Sequence, residues 1–252
     1  MAEMENTWRR TEYETWEEAF HGLAPAVRQQ SVRVAAYTQA IYVQACDKNF
    51  GKESKEASER MKGKYADLAY KCGMYHQIGK ALVPHEYQIW NDSFTEEEQA
   101  VYKKYTSDGR VLASCLQEQS GRSRDRKKSE FSEQPTKNIP WLMIRESCEQ
   151  HMERWDGKGY PDNLAGTEIP LVARIMSIVD VYDALTSERP YKKPYSHEKS
   201  MALIVADSGT KFDPALVEEF VNISEKIRDC LKNKVKNGNQ FFLARYKSNG
   251  EE

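Results

Sequence analysis

The chain is poor in the residues from which metal cages, disulfide frameworks, membrane spans and polyanion grooves are built. Its 252 residues include five cysteines and five histidines. Cys46, Cys72, Cys115, Cys148 and Cys230 lie far apart, are odd in number and form no C-x-x-C pair. That argues against a thiolate cage or a disulfide framework and for a reducing compartment. No apolar run approaches the roughly 20 residues that cross a bilayer. The polar stretch Met1–Arg10 has no apolar core like that of a signal peptide, so the expected location is the cytoplasm, with no membrane partner. An excess of positive charge is missing as well. Lys and Arg total 37 against 39 Asp and Glu, leaving a net charge of -2, which argues against a general polyanion binder. No internal repeat is visible.

What is present reads as a folded, mainly helical protein. Mean hydropathy is -0.80, yet aromatics reach 11%, and disordered chains lack aromatics. The length suits one sizeable domain. Apolar residues recur at three- and four-residue spacing, and alternation with period two is scarce. Val27, Val34, Ile41 and Ala45 predict a long helix from Pro25. A second is expected over 54–75. Thr95 with Glu98 forms a capping box ahead of Val101, Tyr105, Val111 and Leu112, and Thr15 with Glu18 repeats that signal near the N-terminus. Pro140 and Pro170 open two further helices, and Asp213-Pro214 caps another. Residues 119–139 carry Arg122, Arg124, Arg126, Lys127 and Lys128 opposed by Asp125 alone. They read as an exposed, mobile loop; a phosphate or nucleic-acid patch is the alternative, weakened by the lack of interleaved aromatics. The tail after Leu231 is basic, and its Phe241, Phe242, Leu243 and Tyr246 fit a short strand or a docked helix equally.

Three segments carry chemistry. The first is Glu153-Arg154-Trp155-Asp156-Gly157-Lys158-Gly159-Tyr160-Pro161, a glycine-punctuated turn. It either displays Tyr160 to a base or a partner's pocket, or tucks it inward as a rigid connection. The second is the helix around Asp180, whose carboxylate needs a cation or hydrogen-bond donors if buried. Arg189, Lys192 and Lys193 follow it, where cations complement the helix dipole or clamp a phosphate. The third is Tyr75-His76-Gln77-Ile78-Gly79-Lys80. A His-Asp pair here would bind a divalent metal and activate water for phosphate hydrolysis. A His beside Gln is more often a hydrogen-bonded core residue.

Taken together, these motifs from about Gln29 to Phe220 resemble the HD-GYP domain, a bacterial family of helical, metal-dependent cyclic di-GMP phosphodiesterases. Gly209-Thr210, Phe212-Asp213-Pro214 and Leu216-Val217 resemble its closing helix. The resemblance implies an all-α HD-domain bundle of about seven or eight helices over 25–230. Residues 1–24 would form an extension with a short helix, 119–139 an insertion and 231–252 a tail. It also implies a cluster of several metal ions, usually iron or manganese, and here the sequence departs from the pattern. Ala26 and Gln30 stand where the first helix would carry a Glu and a His. Gln77 replaces the bridging Asp, Tyr105 a later His, and Met152 the second of a His-His pair. His76, His151 and Asp180 remain, as does Lys80.

Ala26 aside, these replacements keep size and lose charge. A cluster of divalent ions needs anionic ligands. An amide oxygen and a thioether are poor substitutes, and Tyr105 would ligate iron only as a phenolate. The expectation is therefore no cofactor, or at most one divalent iron or manganese at His76, His151 and Asp180. Gln30 and Gln77 would be hydrogen-bonded in a polar network. The implied function is a catalytically silent signalling protein. It would bind cyclic di-GMP through Tyr160, Arg189 and Lys192, or dock a partner such as a diguanylate cyclase domain. The alternative is a phosphohydrolase using one metal, with Lys80 positioning phosphate.

Overall fold

The computed structural model describes residues 13–47, 55–90, 93–122, 139–188, 193–225 and 227–228. Within them the chain is all-α, and only isolated β-bridges interrupt it, at Asp156–Ala165 and Ser208–Phe212. The helices are α1 (Trp16–His21), α2 (Pro25–Asp47), α3 (Lys55–Tyr75), α4 (Glu96–Lys103), α5 (Tyr105–Arg122), α6 (Ile139–Gln150), α7 (Leu171–Thr186), α8 (His197–Ala206) and α9 (Pro214–Asn222). Short 3-10 turns occupy Ile78–Leu82, His85–Tyr87 and Gly166–Glu168. No helix among the described residues is long and apolar enough to cross a membrane. Most of the basic stretch 119–139, all of the tail after Leu231, and Arg189 and Lys192 lie outside the described residues.

Local signals account for the helix starts. Thr15 and Thr95 each form a reciprocal capping box, with Glu18 and Glu98. The Asp213 side chain accepts from the Ala215 N–H at 2.9 Å. Helix α2 buries Val27, Ser31, Val34, Ala35, Thr38, Ile41 and Tyr42, the spacing of one helical face. Its face packs along α3 and α7. Helix α7 buries Val172, Ala173, Ile175, Met176, Ile178, Val179, Tyr182 and Asp183. With apolar contacts around most of its circumference, it is the central helix.

The run after Thr95 departs from expectation. It forms two helices, because the Lys104 N–H bonds to the Val101 carbonyl three residues back, which tightens the turn into 3-10 geometry. The buried stripe is Tyr102, Tyr105, Thr106, Leu112, Ala113 and Leu116, while Val101 and Val111 face water.

Aromatic contacts join the layers. Tyr182 on α7 meets Tyr37 on α2 at 5.8 Å and Phe220 on α9 at 5.2 Å, both edge-to-face. Such pairs add about 0.5–1.5 kcal/mol each beyond area burial. Trp16 on α1 stacks on Trp141 and leans on Tyr75, tying α1 to α3 and α6. The buried Gln88 accepts from the Ala24 N–H at 2.6 Å and donates to the Gly22 and Val83 carbonyls. It thus satisfies backbone groups at the entrance to α2 that would otherwise be orphaned.

Candidate functional site

Four elements converge on one point. Helix α3 ends at Tyr75, and the chain turns through His76 and Gln77 into the 3-10 turn of Ile78–Leu82, which lies against α5. Helix α6 ends just before His151. Helix α7 brings Asp180, and α2 brings Gln30. The His76 and His151 rings lie 5.0 Å apart, nearly perpendicular, and both are buried. The Asp180 Oδ1 atom is 3.6 Å from His76 Nε2.

Hydrogen bonds link the side chains of this cluster, with the buried Oε1 of Gln77 left without a partner. His76 gives Nδ1–H to the Gly73 carbonyl at 2.6 Å, and His151 gives Nδ1–H to that of Ser147 at 2.8 Å. In a neutral ring of this tautomer Nε2 is the acceptor. His76 Nε2 accepts from the Gln77 amide at 3.0 Å, and His151 Nε2 accepts from the Tyr105 hydroxyl at 2.8 Å. Asp180 Oδ1 accepts from Gln30 Nε2 at 2.8 Å and from Gln77 Nε2 at 3.3 Å. The three side chains that resemble metal ligands thus each accept a hydrogen bond from a side chain standing at a replaced ligand position.

The electrostatics of His151 and Tyr105 agree with this wiring. Burial, then the neighbouring His76, pushes His151 down to about 3, so its ring is neutral. Burial opposes ionisation of Asp180, but His76, His151 and Lys80 outweigh it and hold the carboxyl at about 2. Burial, then the neighbouring Tyr160 and Tyr102, pushes the Tyr105 phenol well up. Tyr105 therefore stays a hydroxyl donor and offers no phenolate. Met152 packs its thioether against the small cluster of Val83, Tyr102 and Tyr105. Ala26 sits on the exposed side of α2. Among the described residues, no group of three or more His, Cys, Asp or Glu is arranged to hold a metal ion. These donors do not fit a multi-metal cluster, since one carboxylate cannot offset and bridge several divalent charges.

The Tyr105 hydroxyl, which meets both His151 and Tyr160, can be removed by one substitution. Tyr105→Phe keeps the ring and leaves a buried imidazole nitrogen without its donor, a loss of about 1–3 kcal/mol. Urea unfolding should show that loss with the slope unchanged. A change below about 0.5 kcal/mol would mean that the hydroxyl contributes little.

Around this centre lie cationic and aromatic groups. Lys80 is buried, its Nζ 5.1 Å from the centre of the Tyr102 ring and 4.9 Å from that of Tyr105. The Tyr160 ring is half-buried, its hydroxyl meets that of Tyr105, and Lys103 Nζ lies 5.5 Å from its centre. Of the two readings of the glycine-rich turn, the inward one describes this ring better. A Cβ at Gly159 would come within 2.4 Å of backbone atoms of Glu153 and Arg154. The missing side chain lets the turn fold back and direct Tyr160 toward α4 and α5.

Sequence reasoning missed two features. Lys103 against Tyr160 left no signal. The other is a fork between α2 and α7, where the Arg33 guanidinium donates to Asp183 Oδ1 at 2.6 Å and Oδ2 at 2.9 Å. It repeats the Gln30–Asp180 contact one turn along, and the shared three-residue offset was the available clue.

The family model for the HD domain matches residues 57–216. The chain belongs to the HD domain family. A cyclic di-GMP phosphodiesterase of Vibrio cholerae is 37% identical over 163 residues, covering 64% of this chain and 30% of that protein. A cyclic di-GMP phosphodiesterase response regulator of Xanthomonas campestris is 34% identical, covering 57% of this chain and 32% of its own. A 3'3'-cGAMP-specific phosphodiesterase of Vibrio cholerae is 29% identical, covering 86% and 38%. The HD domain here is thus of the phosphodiesterase-like type that the Gly-Tyr-Pro segment resembles. The matched stretch spans about a third of the length of these relatives.

Proposed function

We propose that this HD domain is a signalling module that binds a cyclic dinucleotide without hydrolysing it. The observation that carries this reading is the wiring at the centre of the site. Gln30, Gln77 and Tyr105 donate hydrogen bonds to Asp180, His76 and His151, so the lone pairs that would face a metal face protons. These bonds give His76, His151 and Asp180 a partner each without any ion. The ligand class comes from the relatives, which are named for cyclic di-GMP and 3'3'-cGAMP. Tyr160, Arg189 and Lys192 are assigned to the nucleotide, the two cations to its phosphates, or else to a protein partner such as a diguanylate cyclase domain. The working unit is residues 25–230 in the cytoplasm, with 1–24, 119–139 and 231–252 as accessory segments.

A second reading is a phosphodiesterase working with one divalent metal, iron or manganese, at His76, His151 and Asp180, with Lys80 on the phosphate. The relatives' names speak for it, and so does the close approach of His76 to both His151 and Asp180. One experiment separates the two. Purified protein is analysed for iron and manganese, then titrated with cyclic di-GMP by calorimetry with and without added manganese, and the products are chromatographed. Binding heat without metal and an intact nucleotide are expected. Manganese-dependent turnover that Asp180→Ala abolishes would establish the second reading instead.

A further inference from the structure

The second half of α8 carries no polar side chain. Ala202, Leu203, Val205 and Ala206 are exposed, Leu203 to 40% and Val205 to 48%. Ile204 turns the other way, into the main core. Val221 on the adjoining α9 is exposed as well. Exposed charges of α8 stand at its margins, Glu198 and Lys199 in the first turn and Asp207 past the last. A helix face on solvent ordinarily carries polar residues, and an apolar patch with a charged rim marks a contact site.

We propose that this face is the docking site for residues 241–246 of the same chain, Phe241-Phe242-Leu243-Ala244-Arg245-Tyr246. The place where the described residues end favours that occupant. Ile223 and Ile227 are buried in the main core. The charge of Arg228, directly after them, reaches the Glu198 carboxylate in the first turn of α8 and the Tyr182 hydroxyl. Tyr182 is itself hydrogen-bonded to His197, the first residue of α8, at 2.8 Å. The chain therefore passes out of the described residues beside the start of α8. Residues 229–240 can span about 40 Å, and α8 is only about 15 Å long, so the tether is ample. Tethering also raises the local concentration of the segment above that of a free partner. Charge agrees with this choice. Residues 231–247 carry Lys232, Lys234, Lys236, Arg245 and Lys247 and no acid, whereas Glu198, Asp207, Glu218 and Glu225 are exposed on and around α8 and α9.

The photoreactive residue p-benzoylphenylalanine is placed at position 205 of the full chain. After irradiation the products are sized, digested and read by mass spectrometry. A crosslink within one chain, from position 205 to residues 241–246, is expected. It should be lost in the double variant Phe241→Ser, Phe242→Ser. It should also be missing when the probe stands instead at position 111, where the exposed Val111 lies on α5. A dimer-sized product would make a second copy the occupant and overturn the proposal. So would the lack of any crosslink, a crosslink to another segment, or equal yields from positions 205 and 111. Should the double variant fail to fold, the comparison of the two probe positions decides alone.

Discussion

Arg33→Ala should cost the protein about 3–5 kcal/mol, because it leaves a buried carboxylate without its partner. The Asp183 side chain is 1% exposed, and its strongest contact is the fork of Arg33. Melting should fall by roughly 6–20 °C for a chain of this size. Arg33→Lys keeps the charge and loses the fork, so it should fall between the two. The deficit should also depend on pH. Burial already raises the Asp183 carboxyl, and Arg33 is what restrains it. Without Arg33 the folded value rises further above the unfolded value near 3.9. Below that pH both states hold the proton and no charge is buried. As pH climbs, wild type and variant at first lose stability alike, so the deficit opens at the raised wild-type folded value and stops growing at the still higher folded value of the variant. A deficit that stays flat between pH 3 and 7 would remove Asp183 as its source.

Gly79→Ala should be as damaging or more so. A Cβ there would sit 2.0 Å from the Tyr105 carbonyl oxygen, 2.4 Å from the Gly109 nitrogen and 2.7 Å from the Gly109 Cα. All three are backbone atoms of α5, so no side chain can swing aside. Overpacking by one methyl commonly costs about 1–3 kcal/mol, and a clash with three backbone atoms belongs at or above the top of that range. The displaced turn carries Lys80 and follows directly on His76 and Gln77, so nucleotide binding should fall along with stability. Gly166→Ala is the control. Its φ is +56°, but nothing lies within 4 Å of the added atom, so it should cost only about 1 kcal/mol. Equal effects of the two substitutions, measured by thermal melts, would show that backbone freedom rather than contact governs Gly79.

How much of this was legible beforehand varied with the range of the interaction. Helix starts were, because Thr15, Thr95 and Asp213 act on neighbours within a few residues. Local spacing also put Val27, Val34 and Ile41 on one stripe, and all three are buried. It could not rank the two sides of α5, where Val111 looked as suitable for the core as Leu112 yet faces water. Nor could it bring His76 onto Asp180, about a hundred residues away, since that depends on how α3 and α7 meet. For Tyr160 the turn chemistry was readable and the ring's direction was not. Its direction depends on the room Gly159 leaves over Glu153 and Arg154, and so on the fold of the turn as a whole.

The glycine-rich turn is laced from within and without. The Glu153 carboxylate accepts the Asp162 N–H at 2.6 Å, and the Trp155 and Asp156 N–H groups bond to the Lys211 and Thr210 carbonyls. A turn held this way has given up its conformational freedom during folding. Whatever meets Tyr160 finds a rigid template, so association there sacrifices little further entropy, and small contact areas can suffice for recognition.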